Sequence, residues 1–231
     1  MTGSVIAVGY SKDVVPNGVK RAEEQSVQKS LLNFLRGNTD NKQDAIEAVK
    51  IIKKFNINKP PQDQIELISG GVVNDKHFYP HRRYENKGLV YTRATIGEVN
   101  LFASEELEKL NAVFNTNVKA GALGENILTS NIDIDNLTHG TILKIGSTAQ
   151  IKILARRSFC YKFVNVFFPE SEIWSVPDIK KIDKNRIGVL GQVIQAGIVR
   201  PNDQIEIVEV ASHVSLKSIE PPNIYIDTPL A

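Results

Sequence analysis

Short apolar runs rich in valine and isoleucine, each closed by turn residues, recur along the chain, a pattern that predicts strands rather than long helices. They fall at "VIAVGY" (5–10), "QIELIS" (64–69), "GLVYTRATI" (88–96) and "ENILT" (125–129). Further on, "ILKIGSTAQIKILA" (142–155) reads as two alternating strands about a Gly146-Ser147 turn, and "DQIEIVEV" (203–210) alternates as a half-buried strand. Between them "IGVLGQVIQAGIV" (187–199) is a strand with glycine bends. Glycines inside strand patterns mark bulges and corners of curved sheets, so the architecture expected is mainly β: a closed or partly closed β-barrel with a few peripheral helices.

Three stretches have helical spacing instead. "SVQKSLLNFLRG" (26–37) and "DNKQDAIEAVKIIKKF" (40–55) place apolar residues on one face, with Asp40 and Gln43 as a capping pair and Pro60-Pro61 closing the segment. "SEELEKLNAVF" (104–114) is a third helix, with Ser104 as the expected cap and Leu107, Leu110 and Phe114 on one side. The reading is one domain over residues 1–231, with a helical insertion at about 26–62 and an extended, proline-rich tail at 211–231.

Composition narrows the function classes. Net charge is +2 with both signs mixed, so no global field favours nucleic acid or a membrane surface. The start "MTGSVIAVGYSKD" has no basic flank and no small-residue cleavage site, and no stretch of about 18 apolar residues occurs, which points to an untargeted, cytoplasmic protein. A single cysteine permits no internal disulfide and no cluster of four thiolates, which fits a reducing compartment.

That cysteine lies in "ARRSFCYK" (155–162), after Arg156 and Arg157 and before Lys162. Neighbouring cations favour the thiolate, the form that attacks electrophiles and binds soft metals. Lone cysteines are more often small buried apolar side chains. Here, however, the run Arg-Arg-Ser-Phe-Cys does not suit a strand interior, so Cys160 is placed in the loop that leaves a strand near Ala155. A second cluster, "SGGVVNDKHFYPHRRYENKG" (69–88), holds Asp75, His77, His81, Arg82 and Arg83. Carboxylate and imidazole suit zinc or iron, but Pro80 disfavours the helix that would align the histidines, and read alone the segment is a solvated polar loop. In a third, "GALGENILTSNIDIDNL" (121–137), Gly121 and Gly124 do not have phosphate-loop spacing, and Glu125 and Asn126 open a strand.

In order, "GVVNDKH" (71–77), "GENILT" (124–129), "HGTILKIG" (139–146), "RRSFCYK" (156–162) and "GVLGQVIQAGIVRPND" (188–203) resemble the ordered motifs of the MOSC domain, named after the C-terminal domain of molybdenum cofactor sulfurases. The chain is most similar to the small stand-alone bacterial type. Asn74 and Asn202 stand where the family pattern has glycine, and Phe159 where it has proline. The resemblance implies a molybdenum cofactor of the pterin type, not necessarily retained on purification, with Cys160 as metal ligand or persulfide carrier. It implies that Arg156, Arg157 and Lys162 hold anionic groups and that Asp75, His77, Glu125 and Asn126 line the same pocket. The activity implied is reduction of N-hydroxylated compounds, or transfer of sulfur or cofactor. An external electron donor or sulfur donor protein would be the partner, with no nucleic acid or membrane involved and an oligomer allowed. Two other readings stand beside it: a zinc or iron hydrolase built on Asp75, His77 and His81, and a non-catalytic module that binds a phosphate-like anion.

Overall fold

The structure, a computed structural model, describes residues 2–11, 57–75, 78, 83–86, 89–95, 97–157, 163–167, 186–210 and 225–229. Both helices expected between 26 and 55 lie outside the described residues, as do Cys160, Lys162, His77 and His81.

Seven strands close a barrel. In chain order they are β1 (Thr2–Gly9), β7 (Val99–Ala103), β8 (Ile127–Ser130), β9 (Ile142–Ile145), β10 (Ala149–Arg156), β11 (Val189–Gln195) and β13 (Gln204–Glu209). The ring runs β13-β9-β10-β11-β7-β8-β1 and returns to β13, where Thr2, Gly3 and Ser4 pair with Glu206, Ile205 and Gln204. Closure leaves these strands without a free edge. Along β10 burial alternates residue by residue, so Ala149, Ile151, Ile153 and Ala155 point inwards. Leu143, Ile145, Ile127, Leu101, Val189 and Ile205 meet them, all fully buried, and fill the interior as one apolar cluster.

Outside the ring, β2 (Pro61–Gln62) extends β1, while β12 (Gly197–Val199), β3 (Ile65–Ile68) and β4 (Gly71–Val72) make a small second sheet. A third sheet joins β5 (Arg83–Asn86), β6 (Leu89–Thr95) and β14 (Tyr225–Pro229), so part of the tail expected to be extended pairs as a strand. The glycine-bent segment 187–199 divides in two. β11 stays in the barrel with register shifts against β10, and the chain then turns at Gly197 to pair with Leu67.

The helix Ser104–Phe114 (α1) has the boundaries its spacing predicted. Its cap differs. Ala103 occupies the N-cap with extended backbone and no side-chain bond, and the Ser104 hydroxyl donates to Glu105 Oε2 at 3.3 Å. The first turn is instead favoured by Glu105 and Glu106 at the positive end of the helix dipole. α1 links β7 to β8, which run parallel, and a parallel pair needs such a crossover. With the barrel core on one face and α1 on the other, all four residues of β8 are buried.

The two departures from the family pattern at 74 and 202 have a backbone explanation. Asn74 and Asn202 sit at φ of 68° and 72°, the left-handed region that glycine enters freely and asparagine tolerates better than other side chains. Asn202 therefore preserves the turn between β12 and β13, with its N–H donating to Val5 O at 2.8 Å. Replacing Asn202 with glycine is expected to leave the free energy of urea unfolding within about 0.5 kcal/mol of the parent, and replacing it with valine to cost about 1–2 kcal/mol. Equal midpoints for the two variants would count against the turn argument.

Candidate functional site

The turn at Gly124-Glu125-Asn126 enters β8, and the crossover through α1 sets it at the end of the barrel where β1 finishes. Here the structure builds a buried polar cluster around Asn126. Its Oδ1 accepts from Lys59 Nζ at 2.9 Å and from the Asn100 N–H at 3.1 Å, and its Nδ2 donates to Gly9 O and to Asp75 Oδ2, both at 3.1 Å. An asparagine amide offers two acceptor and two donor directions, so this side chain is fully satisfied and its orientation is set by its partners. Lys59 and Asp75 also meet directly, Nζ to Oδ2 at 3.0 Å, with side chains 1% and 2% exposed. A charge pair withdrawn this far from water persists only when its remaining bonds are supplied, and Asn126 supplies one to each partner.

Backbone spacing makes the cluster compact. The Gly9 N–H donates to Asn126 O, and Lys59 N–H donates to Gly121 O, both at 2.9 Å. A Cβ on Gly9 would strike the carbonyl of Lys59, so glycine there is a condition of close approach. Glu125 Oε1 accepts the Gly121 N–H at 2.6 Å, while its Oε2 is buried with no hydrogen-bond partner among the described residues. The crevice bounded by Val8, Gly9, Lys59, Gly121, Glu125 and Asn126 has no room for a water molecule, so it is a packed seam and holds no ligand inside.

Two further carboxylates tie turns to β11 and its entry. Glu98 Oε2 accepts the Val193 N–H at 2.9 Å and, with the Gly70 N–H also bonded to this carboxylate, ties the turn before Asp75 to β11. Burial pushes its carboxyl up, and those two N–H groups oppose the rise. Asp135, in the 3-10 turn Ile134–Asn136, is 1% exposed, accepts the Gly188 N–H at 3.0 Å through Oδ1, and leaves Oδ2 without a hydrogen-bond partner among the described residues. Burial pushes its carboxyl up to about 6 against that N–H and the Arg186 charge, with Glu106 and Asp133 adding to the rise. Arg186 bonds Glu106 Oε1 at 2.6 Å and Asp133 Oδ1 at 3.1 Å; desolvation lowers its pKa, but these carboxylates outweigh it and the net shift is upward.

Of the residues singled out in the sequence, Asp75, Glu125 and Asn126 come together, with Asp75 buried where a solvated loop was the plain reading. The two arginines diverge. Arg156 ends β10 and donates from Nε and Nη2 to Asp135 O at 3.3 and 3.0 Å, whereas Arg157 donates from Nη2 to Leu123 O at 2.5 Å, next to the Gly-Glu-Asn turn. Arg156 is the last residue of β10 and Arg157 the first beyond it, and the two side chains reach different partners. Sequence reasoning missed Lys59, whose signal was weak: a lysine before Pro60-Pro61 looks like a solvated loop until Asp75 and Asn126 are known to face it.

A known family matches part of the chain. The model of the MOSC domain matches residues 93–206. The chain carries a MOSC domain. Among solved structures it is similar to the YuaD protein from Bacillus subtilis, with a TM-score of 0.59 at 14% identity over 89% of this chain and 94% of that one. It is also similar to YiiM from Geobacillus stearothermophilus, at a TM-score of 0.49 and 19% identity over 70% of this chain and 69% of that one. Among curated proteins none matches by sequence. The MOSC match spans α1, the Gly-Glu-Asn turn, the β9-β10 hairpin and the first half of β13, while Lys59 and Asp75 reach the cluster from outside the matched segment. Among the described residues no helix is long and apolar enough to cross a membrane.

Two outcomes test this electrostatic picture. Replacing Lys59 with methionine strands the Asp75 carboxylate and is expected to cost about 3–5 kcal/mol in urea unfolding. The double variant Lys59→Met, Asp75→Leu should recover part of that loss, and a double variant no better than the single would show that the pair is not the unit. For Asp135 the sign follows from linkage: a carboxyl raised from 3.8 to about 6 in the fold contributes stability below the lower value and loses it as pH rises through the upper one. Asp135→Asn should therefore gain on the parent, by on the order of 1–2 kcal/mol after screening, as pH rises from about 4 to about 7. A difference in unfolding midpoint that does not vary with pH would refute it.

Proposed function

We propose that this MOSC protein binds a pterin-type molybdenum cofactor and reduces N-hydroxylated compounds, with sulfur or cofactor transfer through Cys160 as the related activity of the same site. The observation that carries the reading is the buried Lys59-Asn126-Asp75 cluster, which sets the Gly-Glu-Asn turn beside Arg157, three residues before the chain's one cysteine. The residues present fit such a group by chemistry. A cysteine thiolate is a soft ligand suited to such a metal, and Lys162, two residues on in the sequence, is a cation suited to its anionic oxygens.

Cys160 would hold the metal, Lys162 would take anionic oxygen, and Glu125 and Asn126 would fix the turn against which the group rests. When bound, the cofactor supplies two-electron chemistry. The overall reaction adds two electrons and two protons to an N-hydroxyl group, breaks the N–O bond, and releases the amine and water. The electrons come from an external donor protein, since the sequence contains neither a four-thiolate cluster pattern nor a dinucleotide fingerprint. Asp75 supports this reading over the zinc or iron hydrolase. Its Oδ2 already bonds the Lys59 ammonium and the Asn126 amide.

Protein produced in a host that makes the cofactor should carry molybdenum by elemental analysis. Cys160→Ser should lose it and lose reduction of an N-hydroxylated base analogue by a chemical reductant. Molybdenum absent from the parent and from Cys160→Ser alike would overturn the proposal.

A further inference from the structure

We infer that Asp135 is a proton-controlled latch: with its carboxyl neutral it holds the entry of β11 to the end of β10, and with the carboxyl ionised that junction opens ahead of the rest of the barrel. The device is independent of the cofactor reading, because it is built only from the barrel, α1, the 3-10 turn and the entry to β11.

Three bonds make the junction. Asp135 Oδ1 accepts the Gly188 N–H at 3.0 Å, Gly188 O accepts the Arg157 N–H at 2.9 Å, and Asp135 O accepts from Arg156 Nη2 at 3.0 Å. The bonds form a circuit that runs from the turn to β11, from there to the end of β10, and back to the turn. Gly188 lies close against β7, at φ of 92° and with Leu101 O where a Cβ would stand, an approach only glycine permits.

The surroundings of the carboxyl make the circuit sensitive to its charge. Asp135 is 1% exposed, and its Oδ2 has no hydrogen-bond partner among the described residues. A neutral acid there leaves one O–H short of a partner, whereas an ionised one buries a charge, and the charge costs more. Among the described residues the charged groups around it are Glu106 from α1, Asp133 from its own turn and Arg186 from the entry to β11. Arg156 and Arg157 donate to backbone carbonyls, and β7, which also packs on the turn, carries no titratable side chain. Arg186 already bonds Glu106 and Asp133, so one guanidinium would have to serve three carboxylates. The carboxyl pushed up to about 6 by burial agrees with this crowding. Opening lets water reach the carboxylate and returns its pKa towards 3.8, so the closed junction loses its advantage as pH rises through about 6.

Amide hydrogen exchange on the full chain, followed by NMR and corrected for the intrinsic base-catalysed rate, reads this opening directly. The Gly188 N–H should be less protected than the Ile153 N–H, which is bonded to Thr141 O within the barrel wall. Its protection should fall about fivefold or more between about pH 5 and about pH 8, with the Arg157 N–H following it. In Asp135→Asn, which keeps an acceptor for Gly188 but does not titrate, the change over that range should be less than about twofold. Glu106→Gln, which removes a like charge, should move the fall to lower pH, and it decides the matter if Asp135→Asn does not fold. Gly188 protection equal to that of Ile153 at every pH would mean that the junction opens only with the whole barrel, and would overturn the latch. A fall that persists in Asp135→Asn would overturn it too, as would an unshifted profile in Glu106→Gln.

Discussion

A carboxylate and an ammonium removed from water at the end of a β-barrel set the terms for everything near them. Lys59 and Asp75 come from segments joined by the small second sheet, and removing either leaves the other a buried charge without its counter-charge. Asn126 makes the arrangement specific, because each of its four hydrogen-bonding directions is taken by a different segment: the Lys59 stretch, Asn100, the end of β1, and Asp75. An apolar side chain at 126 could fill the volume but could not choose among those partners. The cluster thereby locks the Gly-Glu-Asn turn in one place.

The barrel brings these segments within reach. Closure of seven strands fixes the end of β1 next to the start of β8, and the helix crossover from β7 makes β8 parallel to its neighbour and buried on both faces. The turn that precedes such a strand cannot drift. On the opposite side, Asp135 ties the 3-10 turn to the start of β11 and, through its carbonyl, to Arg156 at the end of β10. The chain leading to Cys160 is therefore held from two sides, by Asp135 and Gly188 on one and by Leu123 on the other.

This division of labour bears on the proposed chemistry. Most of the described polar residues at this end bond one another, and the crevice among them has no space for water. In the proposed chemistry they would act as a scaffold, with the thiol that follows in the sequence as the reactive group. Arg156 and Arg157, adjacent in sequence and alike in charge, serve different anchors at the point where β10 ends.

Much of the barrel was legible in the sequence because strand signals are local. The alternation in 142–155 and 203–210 reflects one buried face per strand, and the boundaries of α1 follow from its apolar spacing and acidic first turn. The Ser104 cap was misread because the residue before it can hold extended backbone without a capping bond. The motif order at 71–77, 124–129 and 156–162 likewise belongs to the sequence, as do the asparagines that stand at 74 and 202. What the tertiary structure decided was pairing over distance: that Asp75 is buried against Lys59, that Asn126 joins them, and that the two arginines part. The physical reason is that a charged side chain looks solvated in sequence until its partner is known, and that partner can come from any segment the barrel brings alongside it.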